Sequence, residues 1–258
     1  MFGEVSLGEY PYSRRMTDIK TTMTSTPLTQ DVPVRQAPTR VVSQSSSRKS
    51  SVVVPIRSLG ANHRGRIARH LLALEPRDRY LRFGFMANDE QIQRYADSLN
   101  FERDEIFGIY NRRIDLIAMA HLAFSTDSGL NACAEFGVSV LNSARGRGYG
   151  GRLFDRASMH ARNEGVSTMF IHALSENTTM LKIARNAGAI VKRDGTESEA
   201  HLVLMPATMD SRLTELFHEQ LALTDYRIKV QVKQFRDLIT GAPAYEGDLP
   251  TPPEMTPE

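Results

Sequence analysis

Between Ala134 and Gly151 the sequence reads AEFGVSVLNSARGRGYGG. An apolar run with strand character enters a turn. It passes through Arg145-Gly146-Arg147-Gly148-Tyr149-Gly150 and continues into a helix-like segment, GGRLFDRASMHARNEG. This order suits a pyrophosphate. Glycines let the backbone come close to a ligand, and the first N–H groups of a helix have no intrahelical partner. Arg145 and Arg147 add charge and directional donors.

Two familiar phosphate motifs fit poorly. Gly146, Gly148 and Gly151 satisfy the literal G-x-G-x-x-G of dinucleotide folds. That fingerprint follows its strand tightly, whereas Leu141 to Ala144 separate Val140 from Arg145, and the chain beyond Glu176 is too short for a doubly wound sheet. No Gly-Lys-Ser/Thr follows the glycines, so a P-loop is excluded.

The 258 residues suffice for one large domain with extensions. A formal net charge of +2 gives no global basic field, so neither nucleic acid nor a membrane is an expected partner. Cys133 is the single cysteine, which rules out an intramolecular disulfide and fits a reducing cytoplasm; it is expected to be buried as a small apolar side chain. No apolar run reaches the roughly 18–20 residues of a membrane span, and the first residues lack the apolar core of a secretory signal. The expectation is a cytoplasmic protein.

Residues 1–50 are rich in Ser, Thr and Arg, with SQSSSRKSS as the extreme, and are expected to be disordered. Order is expected from Val52-Val53-Val54-Pro55-Ile56, a strand. Helices are expected over Asn62–Leu74 and Asp89–Leu99, and strands over Glu105–Tyr110, Ile114–Phe124 and Cys133–Val140. A helix over Tyr149–Asn163, a strand over Thr168–Ala173 and a helix over Asn177–Asn186 follow. A strand pair, Ala189–Lys192 and Ala200–Met205, closes the domain at about residue 206. The order β-α-α-β-β-β-α-β-α-β-β supports an α+β domain. From Ala207 to Thr240 there is no Gly or Pro, and Ile228, Val232, Phe235 and Ile239 share one helical face. Alternation at Tyr226, Ile228, Val230 and Val232 would also suit a strand, but uninterrupted length favours a helix. Its stripe is expected to pack on the domain or on a second subunit. The Pro-rich residues 241–258 are expected to be loose.

Arg145-x-x-Gly148-x-Gly150, five residues after a strand ending in Val138-Ser139-Val140, resembles motif A of the GNAT-type N-acetyltransferase superfamily. The resemblance continues through SENTTMLKIARNAGA, with Asn177 and then Gly188 where the family has Gly-Phe. Asp78-Arg79-Tyr80-Leu81-Arg82-Phe83 and Ala134-Glu135 resemble the bacterial protein lysine acetyltransferases, a Pat-like subgroup. The match covers roughly residues 52–205. It implies the acetyltransferase fold: a mixed central sheet flanked by helices, whose central strands splay apart to admit the cofactor, here with a C-terminal helical extension.

The resemblance also implies roles. Acetyl-CoA is the co-substrate, and no metal is expected. The loop Arg145, Gly146, Arg147, Gly148, Tyr149 and Gly150 holds the pyrophosphate, with Gly148 and Gly150 avoiding side chains where the phosphates approach. The main chain of Val138, Ser139 and Val140 bonds the pantetheine as an added strand, and a main-chain N–H near this point stabilises the thioester oxyanion. Asn177 contacts the cofactor arm, a role compatible with capping a helix. Glu135 is the candidate base. It interrupts an apolar strand, where an unpaired carboxylate is costly, and it matches the subgroup's strand glutamate. A base is useful because a lysine of pKa about 10.4 is neutral only at roughly the 10⁻³ to 10⁻⁴ level at pH 7. The other reading of Glu135 is a solvent-facing residue or an ion pair.

Ala184 departs from the pattern, because many members have there a tyrosine that protonates the departing thiolate. The subgroup commonly lacks it too. Ala189 replaces the usual phenylalanine. His172 and His201 lie on expected strands without metal-ligand spacing, and structural roles are expected. Arg82 and Phe83 are expected to pack, or to shape the acceptor mouth. The function implied is acetyl transfer from acetyl-CoA to a primary amine, foremost a protein lysine. A small-amine N-acetyltransferase and a non-catalytic acyl-CoA-binding sensor are the alternatives. A homodimer through the C-terminal segment is the expected assembly.

Overall fold

The computed structural model describes residues 54–125, 132–207 and 209–240, the side chains of 209–211 and 234–240 excepted. The expected N-terminal segment 1–50 and tail 241–258 lie outside the described residues.

Among the described residues seven strands form one sheet in the order β1-β2-β3-β4-β5-β7-β6. They are β1 Arg57–Ser58, β2 Glu105–Tyr110, β3 Leu116–Phe124, β4 Cys133–Val140, β5 Thr168–Leu174, β6 Ile190–Asp194 and β7 Glu197–Val203. Every neighbouring pair is antiparallel except β4–β5, which is parallel. Nearly all of β2 and β3 is buried, as befits strands covered on both faces. The hairpin turn between them is fixed by Asn111, whose Oδ1 accepts from the N–H groups of Arg113 and Asp115 at 2.7 and 3.0 Å.

Among the described residues six α-helices surround the sheet: α1 Arg64–Leu72, α2 Pro76–Phe83, α3 Asp89–Ser98, α4 Tyr149–Asn163, α5 Thr178–Asn186 and α6 Met209–Thr240. Side chains of a strand alternate between faces, so β4 serves both layers. Phe136 points to α4 and meets Phe154 edge-on at 5.0 Å. Gly137 and Ser139 face the opposite layer, where Arg82 of α2 and His70 of α1 lie against them. Leu153, Phe154, Ala157 and Ala161 of α4 join Phe107, Leu122 and Phe136 in the main core.

Three expectations are corrected. Val54–Ile56 form no strand; the first strand is the two-residue β1, paired with Phe107 and Gly108. Helix α2 did not emerge from the pattern, because Pro76 reads as a breaker. Here it occupies the first turn, where its missing N–H costs nothing. Gly84, at φ +80°, ends that helix by donating to Tyr80 O. Cys133 is only partly buried.

Residues 209–240 are helical, as the absence of Gly and Pro suggests, but Ile228 and Val232 of the expected stripe do not pack on the domain, and the side chains of Phe235 and Ile239 lie outside the described residues. Ile228 and Val232 are 55% and 62% exposed. Ala222 and Tyr226 are buried instead. The Tyr226 hydroxyl accepts from Arg66 at 2.7 Å, and its ring lies 3.9 Å beneath the Arg57 guanidinium. The anchor is therefore amphipathic: an aromatic ring stacked under the Arg57 cation, with its hydroxyl satisfied by Arg66. A count of apolar residues per face misses such a contact.

Candidate active site

The sheet opens at one place. Strands β4 and β5 keep register over Cys133↔Thr168, Ala134↔Met169 and Glu135↔Phe170. Beyond that β4 runs on through Phe136–Val140 and β5 through Ile171–Leu174 without pairing to each other. The facing edges leave main-chain groups to receive an extended arm as an added strand. Val138, Ser139 and Val140 line the β4 side of this fork.

Ser139 is held from behind. His70 Nε2 lies 2.8 Å from Ser139 Oγ, and Nδ1 lies 2.8 Å from Leu116 O. Burial drives the His70 pKa down to about 4, with the Arg82 charge adding to it and the Leu116 carbonyl opposing. The ring is thus neutral at pH 7. Because a carbonyl only accepts, Nδ1–H donates to Leu116 and Nε2 accepts the Ser139 hydroxyl.

After β4 the chain makes a short 3-10 turn, Asn142–Ala144, and enters the glycine-rich loop before α4. Gly146 and Gly148 have φ of +74° and +73°, a region that side chains other than glycine's rarely adopt. Gly148 is the N-cap of α4 and offers no side-chain cap to its first turn. A Cβ at Gly146, Gly148 or Gly151 would meet no heavy atom within 4 Å, so no protein group fills the space beside the helix N-terminus. That open cradle of N–H groups fits a pyrophosphate. At Gly150 a Cβ would come 3.2 Å from Ile183 Cδ1, so its bareness also serves α4–α5 packing. Arg147 is exposed at the loop tip. The Arg145 guanidinium is ion-paired with the buried Asp78 of α2. Tyr149 begins α4 and is partly buried.

Glu135 lies at the crotch of the fork, its side chain 3% exposed. It is the last β4 residue in register with β5. His172 Nδ1 of β5 donates to Glu135 Oε1 at 2.9 Å. His172 Nε2 is 3.5 Å from Glu199 Oε1 on β7, and His201 Nε2 is 3.2 Å from the same oxygen. The two histidines of the sequence reading thus join one polar cluster around the candidate base. Spacing gave no sign of it, because the three strands meet only through tertiary pairing.

A second buried network lies on the same face. Arg82 Nη2 donates to Tyr95 Oη at 2.9 Å; Tyr95 Oη donates to His121 Nδ1 at 2.8 Å; His121 Nε2 donates to Asp104 Oδ2 at 3.1 Å. Burial pushes the Tyr95 pKa up despite the Arg82 charge and hydrogen bond, which keeps the phenol protonated. The Arg82 guanidinium lies where a Cβ of Gly137 would stand, at 2.8–2.9 Å. Gly137 is two residues from Glu135 on the same side of β4, so Arg82 fills this face rather than only padding the core. Phe83 is buried beside Tyr95, ring to ring at 5.3 Å.

Asn177 caps α5, its Oδ1 accepting from Met180 N at 3.1 Å. Ala184 is fully buried in the main core, so this position offers no hydroxyl to the fork. Among the described residues no group of His, Cys, Asp and Glu could hold a metal ion, and no helix is long and apolar enough to cross a membrane.

Residues 67–189 match the model of the acetyltransferase (GNAT) family. The GNAT domain of S. lividans PAT is similar in structure, with a TM-score of 0.50 and 18% identity; the match covers 58% of this chain and 89% of that one. A candidate acetyltransferase from Acinetobacter baylyi ADP1 is similar at a TM-score of 0.50 and 15% identity, over 60% of this chain and 95% of the other. Comparison with curated proteins gives no match. The forked mixed sheet, the glycine-rich loop at a helix N-terminus and the match over residues 67–189 together give this part of the chain a GNAT-family acetyltransferase domain.

Proposed function

We propose that the chain transfers an acetyl group from acetyl-CoA to a primary amine, with a protein lysine as acceptor. The observation that carries this reading is the placement of a buried carboxylate, Glu135, at the crotch of a fork whose other end leads into the α4 cradle. In this reading the cradle binds the pyrophosphate through the N–H groups of Gly146 to Gly150, with Arg145 and Arg147 adding positive charge. The β4 edge at Val138, Ser139 and Val140 bonds the pantetheine amides, and Asn177 flanks the arm from the α5 side.

The chemistry follows from this placement. Glu135 takes a proton from the acceptor ammonium, so an amine N–H bond breaks and a carboxyl O–H bond forms. The neutral amine attacks the thioester carbonyl and forms the C–N bond, and a β4 main-chain N–H stabilises the oxyanion; as the adduct collapses the C–S bond breaks and the extra proton on nitrogen passes to the departing thiolate, while the Glu135 proton returns to solvent. With alanine at position 184 the thiolate leaves without a tyrosine acid there. A thiol of pKa about 8.5 is a fair leaving group without one.

The lysine acceptor rests on the DRYLRF and Ala134-Glu135 resemblance. Transfer assays with acetyl-CoA against lysine peptides and small amines test it. Turnover on peptides above that on amines supports the lysine reading, turnover on amines alone replaces it, and binding without turnover on any acceptor makes the chain an acyl-CoA sensor.

The free side of α6 is the surface we propose for a second copy of this chain. Leu213, Phe217, Leu221, Ile228 and Val232 are between 39% and 63% exposed. Such a run of apolar side chains is a marker of an interaction surface. Light scattering on an Ile228→Glu/Val232→Glu variant decides: a dimer lost in the variant supports the pairing, and a wild type that is monomeric at all concentrations removes it.

A further inference from the structure

The sequence gives no reason to join His172 to the chemistry, yet the structure places it at the fork. Its partner in register terms is clear. Glu135 is paired with Phe170, and His172 lies two residues further along β5, hence on the same face. It is on the first stretch of β5 that β4 no longer pairs with, so the ring spans the opening itself. Behind it stand Glu199, in register with His172, and His201, in register with Phe170.

Exposure rises along this chain of side chains. Glu135 is 3% exposed, His172 16%, Glu199 34% and His201 35%. Carboxylates only accept hydrogen bonds, so the donor that compensates the burial of Glu135 at Oε1 is the Nδ1–H of His172. Glu199 faces the other ring nitrogen and fixes which edge of the imidazole is presented. The charged and titratable groups facing this spot from the other elements are Arg82 of α2, Tyr95 of α3 and His121 of β3.

We propose that His172, backed by Glu199 and His201, is a positioning residue for Glu135: its Nδ1–H occupies Oε1 and leaves Oε2 as the lone pair that takes the amine proton. This rests on the reading of Glu135 as the base. In the step itself one N–H bond of the ammonium breaks, its electron pair stays on nitrogen, and an O–H bond forms at Oε2. His172 neither gains nor loses a proton. An imidazole held between two carboxylates far from any ligand would be an ordinary structural pair. Here one of the two carboxylates is at the crotch where the thioester arm is expected.

The test uses the full chain, acetyl-CoA and Nα-acetyl-lysine methylamide as the acceptor, with kcat/KM for the acceptor measured across pH. Losing the donor leaves a buried carboxylate poorly solvated, which favours its protonated form. His172→Phe is therefore expected to move the acid limb of the profile at least one pH unit upward and so to lower the rate about tenfold at pH values below that limb, with acetyl-CoA affinity within about twofold of wild type by calorimetry. His172→Asn carries its amide N–H where Nδ1–H stood and is expected to restore the limb; His172→Gln, whose amide falls at the Nε2 position, is not. If the Phe variant melts early, the Asn–Gln comparison decides alone. An unmoved limb in His172→Phe, or equal behaviour of Asn and Gln, overturns the positioning role. Glu135→Gln separates this from the underlying reading: full turnover in that variant removes the base, whereas lost turnover there with an unmoved limb in His172→Phe removes only the role of His172.

Discussion

Arg145, the first residue of the glycine-rich loop, is ion-paired with Asp78, a buried residue of α2. One helical turn further on the same helix, Arg82 lies across Gly137 of β4. Helix α2 therefore touches both parts of the site, the cradle through Asp78 and the fork through Arg82. A helix that the sequence pattern did not reveal sets the distance between them.

The Asp78–Arg145 pair is expected to matter through loop order more than through charge. Arg145 is 47% exposed, which limits the worth of the pair to about 1 kcal/mol or less. Asp78→Asn should weaken acetyl-CoA binding about fivefold or less, as read by calorimetry, with kcat at saturation unchanged. A variant that binds more tightly than wild type would show that freeing Arg145 for the phosphates outweighs anchoring the loop.

Gly148→Glu should abolish most acetyl-CoA affinity. The position has φ +73°, which strains any L side chain, and the new carboxylate would stand at the helix N-terminus in the space left for phosphate. A loss of at least about tenfold, near 1.4 kcal/mol, is expected by calorimetry. Gly150→Ala should act differently, lowering the melting temperature through the 3.2 Å contact with Ile183.

Glu135→Gln should lower kcat/KM for the acceptor by roughly 10²-fold, within the usual range for a general base, and leave acetyl-CoA affinity near wild type. The base acts on the amine and not on the CoA moiety. Steady-state kinetics from pH 6 to 9 combined with calorimetry check both halves of this expectation.

The docking of α6 should depend on pH with a defined sign. His160 Nδ1 of α4 lies 2.7 Å from Glu215 Oε1, Arg156 Nη1 lies 2.9 Å from the same oxygen, and Asn163 donates to Oε2. Burial alone would raise the Glu215 pKa; the His160 and Asn163 hydrogen bonds and the Arg156 charge outweigh it and hold it at about 2. For His160 burial acts downward, and the Glu215 hydrogen bond and charge outweigh it to raise its pKa. A depressed carboxylate contributes stability that is full above its ordinary 4.5 and is lost as pH falls through about 2. A raised histidine contributes stability that is full below its ordinary 6.5 and is lost as pH rises through its folded value above that. The contact is therefore strongest between about pH 4.5 and 6.5. Thermal melts across pH should show this window in the wild type and a flatter curve in Glu215→Gln.

Tyr226→Ala should cost about 3–5 kcal/mol, the range for deleting a buried aromatic ring, because the ring sits under Arg57 and its hydroxyl takes the Arg66 hydrogen bond. Ile228→Ala, at an exposed position, should leave the melting temperature of the isolated subunit unchanged. Equal melting of the two variants would show that α6 is not held through Tyr226.

Much of this protein is written in local order. The bounds of β2, β4 and α4 follow from apolar runs and from the glycines that flank them, and the open cradle at the α4 N-terminus follows from Gly146 and Gly148, whose positive φ angles glycine alone takes readily. The Asn177 cap is equally local, a side chain bonding three residues onward. Other features are long-range and leave no periodic mark. Gly150 reads as a cradle residue, and only the packing of α5 on it reveals its second constraint. The Ile228–Val232 stripe looks like a buried face, whereas the anchor is a tyrosine stacked under Arg57 of β1 and hydrogen-bonded by Arg66 of α1, both more than a hundred residues away in the chain. His172 is an unremarkable strand histidine until parallel pairing of β4 and β5 stops at Glu135. Sequence alone determined which segments become strand, loop and helix, because those choices depend on neighbouring residues. Only the tertiary structure decided which polar groups share one buried face, because burial without a partner is costly and the partners lie on strands that the chain brings together only by folding.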